Sequence, residues 1–205
     1  MINMGFVCIG QGGGNMGNVF AKEFPAVAIN TAKQDLEGLD NIPDDLRIFT
    51  EITDGGAGKR AKLGEQAVRK YRETIQDKIE MVFRDVDLIW VLVGLGGGSG
   101  SLGASQLVQL ISKMEKNVGV LATLPIQDME GTHEKANALL AIDSFMKLQS
   151  QLSRFKGVLF VDNQRLKKRV LEESNCSYEQ FWEQANQIIY DEFFSMTEYL
   201  TQSSM

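Results

Sequence analysis

The sequence predicts an α/β fold: a Rossmann-like, mostly parallel sheet with helices on both faces, ending in one long helix. Three observations lead there. Short, β-branched apolar runs alternate with longer helical patterns along the chain, as parallel strands joined by helical crossovers require. One run, Leu88–Val93 (LIWVLV), is apolar without interruption, as expected of a strand buried on both faces. Two glycine clusters each follow an apolar run and precede a helical pattern, where open parallel sheets hold their ligands.

In chain order, Gly5–Gly10 (GFVCIG) is the first strand and ends in a glycine loop. Val27–Asn30 and Arg47–Phe49 are the second and third strands. Leu88–Val93, Val118–Leu124 and Gly157–Val161 complete the set. Helical patterns occupy Met16–Glu23, Leu63–Val82, Leu102–Met114 and His133–Leu152, and the crossovers are expected to be right-handed. Residues 1–177 thus form one domain. The last segment, Tyr178–Thr201, reads as a single helix of about 36 Å. Its apolar residues, Phe181, Trp182, Ala185, Ile188, Ile189, Phe193, Phe194, Met196 and Leu200, spread over more than one face. A terminal helix packed on a single domain shows one stripe. The favoured expectation is that residues 178–205 lead into a further domain; the alternative is a terminal helix in an oligomer contact.

Composition sets the outer limits. With 205 residues, 43% hydrophobic and 23% charged, the chain is an ordinary globular protein, long enough to bury a core without disulfides or structural metal. The net charge of −6 argues against direct affinity for nucleic-acid backbones or anionic membranes, although Arg165, Lys167, Lys168 and Arg169 cluster. Cys8 sits in an apolar run and reads as core, whereas Cys176 sits in a polar loop. The single histidine, His133, cannot assemble a zinc site of ordinary spacing. The N-terminus carries no basic-then-apolar signal and no run approaches the length of a membrane span. A reduced, cytoplasmic setting is expected.

The chemistry lies in the glycine clusters. The first is Gly10, Gln11, Gly12, Gly13, Gly14 and Asn15, running on to Gly17; the second, Gly94–Gly103, contains Gly96, Gly97, Gly98, Ser99, Gly100 and Ser101. Glycine lets backbone N–H groups approach phosphate oxygens, and a following helix adds positive potential. Ser99 and Ser101 add hydroxyl donors. Glycine turns also serve strand-to-helix packing, but two clusters at neighbouring strand ends converge on one crevice and favour phosphate binding. The G-x-x-x-x-G-K-[ST] signature is absent, so this is not a P-loop protein. Gly10–Asn15 does not match the spaced G-x-G-x-x-G well, although Gly12, Gly14 and Gly17 match it if Gly10 is ignored. A dinucleotide enzyme, however, needs an acidic ribose partner after the second strand, where Asn30-Thr31-Ala32 stands.

The segment Gly96–Ser101 (GGGSGS) resembles the tubulin/FtsZ signature, and the other loops follow in that family's order. Gly10–Asn18 resembles the first phosphate loop. Ala28–Leu36, with Asn30 and Thr31, resembles the second. Gly55–Lys59, with Gly56, Ala57, Gly58 and Lys59, is similar to the γ-phosphate loop. Thr123–Ile126, with Pro125, and Glu130-Gly131 resemble the ribose loop. Asn163–Leu166 resembles the guanine loop, and Trp182 and Asn186 match a base-contacting pair on the last helix. The resemblance spans nearly the whole chain and is nearest to the plasmid and phage TubZ type.

That resemblance implies GTP and GDP as ligands, Mg²⁺ as cofactor and head-to-tail self-association in a protofilament. It further implies plasmid or phage DNA segregation through a DNA-binding adaptor. The sequence departs from the family pattern at Leu102, where the signature ends in glycine, at Ala32, where an aspartate is usual, and at Glu134, often an arginine. The family's hydrolytic acid follows the long helix, and no residue up to Met205 matches it. The chain alone is therefore expected to bind GTP and hardly hydrolyse it. A short regulatory GTP-binding module and a dinucleotide oxidoreductase are the competing functions.

Blander roles stand beside these. Asn163 is placed to serve as an N-cap as well as to pair with both edges of guanine. Trp182 is either core or a stacking platform. Asn186, in mid-helix, has no capping role. His133 reads as a capping or surface residue and Asp54 as a turn residue. The Arg165–Arg169 cluster reads as a solvated face.

Overall fold

The computed structural model describes residues 2–174 and 178–202; Cys176 and the Leu200 side chain lie outside the described residues. Six strands, β1 (Met4–Ile9), β2 (Ala26–Asn30), β3 (Arg47–Phe49), β4 (Leu88–Gly94), β5 (Asn117–Leu124) and β6 (Phe155–Asp162), form one sheet in the order β3-β2-β1-β4-β5-β6. Every neighbouring pair is parallel. The helices are α1 (Gly10–Phe20), α2 (Gln34–Glu37), α3 (Ala61–Lys70), α4 (Arg72–Val82), α5 (Ser101–Lys113), α6 (Thr132–Gln151), α7 (Asn163–Ser174) and α8 (Tyr178–Gln202).

Strand periodicity divides the core. Val7, Ile9, Val91, Val93, Val120 and Ala122 point to one face, where Val68, Ile79, Leu107, Ile111 and Phe145 from α3 to α6 cover them. Phe6, Cys8, Leu92 and Leu121 point to the other, under α1, α7 and α8. Alternate residues therefore meet different helical layers, which explains why Leu88–Val93 is apolar at every position. Burial pushes the Cys8 thiol far above its ordinary range.

Two boundaries differ from the periodicity reading. Helix α1 begins at Gly10 rather than Met16, so the glycine cluster is itself the first turns of a helix. Glycine costs about 1 kcal/mol per helical position relative to alanine, and only contact with the sheet offsets that. The run Leu63–Val82 divides into α3 and α4 at Tyr71 (φ −100°, ψ 20°). Helical hydrogen bonds still flank that residue, from Tyr71 N–H to Ala67 and from Ile75 N–H to Tyr71, so no sequence breaker marks the change.

Helix α8 buries one stripe, Phe181, Ala185, Ile189 and Phe193, at a spacing of four. The Phe193 ring lies 5.6 Å from Phe20 on α1 and 5.1 Å from Trp90 on β4. A second apolar set remains outside: Trp182 and Met196 are exposed. Ile188 and Met196 border an open groove with Phe160 of the edge strand β6.

Candidate functional site

The strand order reverses between β1 and β4: the chain runs outward from β1 through β2 to β3, and from β4 through β5 to β6. Open α/β sheets place their ligand crevice at that point, beyond the carboxyl ends of the strands. Here α1 and α5 both begin, and neither has a side-chain cap. The first-turn N–H groups of both helices thus lack intrahelical partners, and both helix dipoles present positive potential. Gly10, at φ +72°, turns β1 directly into α1 in a conformation that side chains disfavour. The two helix starts border a cavity of about 560 Å³, within the range of small-molecule sites.

The surrounding loops rest on one another. A Cβ added to Gly98 would lie 2.8 Å from the backbone nitrogens of Lys59 and Arg60, so the loop 55–59 lies against the loop 94–100. Side chains complete the join. Thr31 Oγ1 and Ser99 Oγ share a hydrogen bond of 2.6 Å, and Thr31 Oγ1 also accepts the Ala57 N–H at 2.9 Å. Ser99 Oγ donates to Asn30 Oδ1 at 3.3 Å, and Asn30 Nδ2 donates to Asp35 at 2.9 Å. From α6, Asn137 Nδ2 donates to the Lys59 carbonyl at 2.8 Å and the Gly96 carbonyl at 3.2 Å. Lys59 Nζ forms an ion pair with Glu134. That contact lowers the Glu134 carboxyl below its usual range and raises the Lys59 ammonium.

Most of the sequence-predicted residues come together on this cavity. Gly10, Gln11, Gly12 and Asn15 come from the first cluster; Gly96, Gly97, Gly98, Ser99 and Gly100 come from the second. Asn30 and Thr31 lie beside Gly56, Ala57, Gly58 and Lys59. Pro125 and Glu130 stand on the loop after β5, and Asn163 and Trp182 close the far side. The Glu130 carboxylate accepts the Ile126 N–H, holding its own turn. Asp162 Oδ1 accepts the N–H groups of Gln164 and Arg165. Asp162 therefore caps α7, and Asn163, the first helical residue, is relieved of that duty. The Trp182 ring meets Phe181 edge-on at 4.8 Å.

Four expected residues stand off the cavity wall. A Cβ on Gly13 would meet the Leu92 carbonyl oxygen at 2.2 Å, so this glycine is where α1 presses on β4; Gly14 faces the Leu39 side chain. The Ser101 hydroxyl is engaged by the carbonyls of Leu95 and Gly97 and holds its own loop closed. Asn186 is buried on α8. Conversely, the wall includes Asp35, and the loops depend on Asn137, neither of which was singled out. The available signal for Asn137 was a lone amide in the apolar stretch Ala136–Ala141.

Residues 3–170 match the Tubulin/FtsZ family, GTPase domain. The chain belongs to the tubulin/FtsZ family. A tubulin-like protein CetZ from Pyrococcus abyssi is 32% identical over 196 residues, covering 92% of this chain and 50% of the relative. A tubulin-like protein TubZ from Bacillus cereus is 28% identical over 185 residues, covering 84% and 42%. Among solved structures, the GTPgS-bound protofilament of CetZ2 from Haloferax volcanii superimposes with a TM-score of 0.76 at 25% identity, over 92% of this chain and 56% of that one. The chain thus spans about half the length of these tubulin/FtsZ relatives.

Proposed function

We propose that this chain binds GTP and GDP in the crevice, as the nucleotide-binding half of a tubulin-like filament protein. The supporting observation is the convergence of two helix N-termini without side-chain caps, α1 and α5, on one cavity. Their free N–H groups suit the α-, β- and γ-phosphates. Asn163 offers the donor and acceptor that a guanine edge requires, and the half-exposed Trp182 ring offers a stacking face. Asn186 belongs to this base-recognition end by resemblance, acting from behind the wall.

Among the described residues, the cavity wall carries three carboxylates, Asp35, Glu130 and Glu134, against one ammonium, Lys59. A polyphosphate therefore enters with a counter-ion. Mg²⁺ fits that balance through phosphate oxygens and water, because no cluster of described His, Cys, Asp or Glu side chains could hold a metal by itself. When bound, it supplies charge neutralisation for phosphoryl transfer. The chain's own residues position the phosphates. Asp35, Glu130 and Glu134 accept contacts from Asn30, Ile126 and Lys59 respectively, and this reading gives none of them the role of base. In this reading the 205 residues bind the nucleotide and turn it over slowly, and a second subunit in a head-to-tail protofilament completes the site. DNA segregation through an adaptor is the role that its TubZ-like character supports. No described helix is long and apolar enough to cross a membrane, and the proposed setting is the cytoplasm.

Thermal denaturation with saturating GTP, GDP, ATP or NAD tests the ligand. A hundredfold excess over Kd stabilises by about 2.7 kcal/mol, and the expected result is stabilisation by the guanine nucleotides alone. Stabilisation by NAD alone would replace this reading with the oxidoreductase one.

A further inference from the structure

Lys59 carries the only cation on the cavity wall among the described residues, and that cation is already occupied. Its ammonium meets Glu134 on the first turn of α6. The two partners differ in freedom. The Glu134 side chain is 11% exposed, and it sits at a helix N-terminus, where a negative charge is stabilised. Its carboxyl is held ionised by Lys59, and by the backbone N–H groups of Glu134 itself and Gly131. The Lys59 side chain is 68% exposed and has four rotatable bonds. The carboxylate is therefore the fixed member of the pair and the ammonium the movable one. Lys59 is also anchored at its backbone: its carbonyl accepts the Asn137 amide, and its φ of +60° is one that non-glycine residues adopt only when their surroundings hold them there. Glu134 and Asn137 lie three residues apart, on one face of α6, so this face grips the loop 55–59 at a side chain and a carbonyl together.

We propose that Glu134 is a built-in competitor for Lys59, holding the ammonium when no terminal phosphate is present and yielding it to the γ-phosphate of GTP. The inference rests on the GTP reading above. A triphosphate delivers anionic oxygens to a cavity that both side chains line, whereas a diphosphate leaves the Lys59–Glu134 pair intact. The exchange requires no bond chemistry; a salt bridge within the protein is replaced by one to the ligand. Its consequence is selective. Glu134 lowers the affinity for GTP and leaves that for GDP nearly unchanged, narrowing the preference between the two. The same exchange loosens the loop 55–59 from α6, so that Asn137 becomes the remaining tie.

Equilibrium titration with Mg²⁺ and either GTPγS or GDP tests this in the intact chain and in the Glu134→Gln, Lys59→Met and double variants. Glutamine keeps the side-chain size and removes the charge. A charge-assisted contact released to the ligand corresponds to about a tenfold change in affinity. Glu134→Gln is therefore expected to tighten GTPγS by about tenfold while GDP changes by less than about twofold. Lys59→Met, at an exposed position that threatens no core contact, should bring GTPγS affinity down toward that of GDP, and in the double variant the gain from Glu134→Gln should vanish. An unchanged or reduced GTPγS-to-GDP ratio in Glu134→Gln overturns the proposal. So does a gain that survives without Lys59. Failure of the unmodified chain to bind either guanine nucleotide would instead refute the binding reading beneath it.

Discussion

Asn163 and Asp162 divide two tasks between adjacent residues. A carboxylate suits the helix N-terminus of α7, and Asp162 takes the N–H groups of Gln164 and Arg165; Asn163 then lines the cavity, buried. Its amide offers both a donor and an acceptor for a base edge. Asn163→Ala is expected to erase the preference for GTP over ATP in competition binding while changing the melting temperature little. If the selectivity survives, base recognition lies elsewhere. Residue types pointed to Asn163 and Trp182, which do line the cavity, because an Asn after a strand carries its chemistry in its own side chain. They did not foretell Ser101, whose hydroxyl is consumed by the Leu95 and Gly97 carbonyls, or Asn137, whose partners lie 78 and 41 residues away in sequence. Such pairings depend on which loops meet, and local spacing does not encode that.

At the scale of elements, the strands were legible and the helix starts less so. Arg47–Phe49 is the third strand as read from the sequence, and the other five shift by a residue or two, because alternating burial on two covered faces leaves a plain apolar signature. The start of α1 was hidden by glycine. Propensity places Gly10–Gly14 in a loop, but contact with Leu92 at Gly13 draws those residues into the helix, and the bare N–H groups that result are what makes the turn suitable for phosphate. Helix α8 is the other instructive element. Its apolar residues occupy more than one face, yet among the described residues only the Phe181, Ala185, Ile189 and Phe193 stripe is fully buried, with Ile188 and Phe194 partly covered beside it. Phe193 ties that stripe to Phe6, Phe20 and Trp90. Phe193→Ala should cost about 3–5 kcal/mol in urea denaturation. Met196→Ala, on the exposed side, should cost well under about 1 kcal/mol. Equal losses at the two positions would show that the buried stripe is not what fixes α8 to the sheet.

For the whole molecule, the sheet order and the two helix starts decide the site together. A crevice at the reversal point between β1 and β4 gathers six loops that are scattered from Gly10 to Asn163, and Thr31 fastens three of them through Ser99 and Ala57. The family membership follows from residues 3–170, and the fold from the parallel alternation already visible in the chain. The strand order itself was not visible, since alternation specifies parallel neighbours but not which strand lies beside which. The sharpest test of nucleotide binding on the paired helix termini is residue-resolved: backbone amide NMR of the 22.8 kDa chain during titration with GDP and Mg²⁺. The expected shifts concentrate at Gly10–Asn15 and Gly96–Gly100, with smaller ones at Asn163 and Trp182. Shifts confined to the groove between β6, α7 and α8, with the amides at the starts of α1 and α5 unmoved, would contradict it.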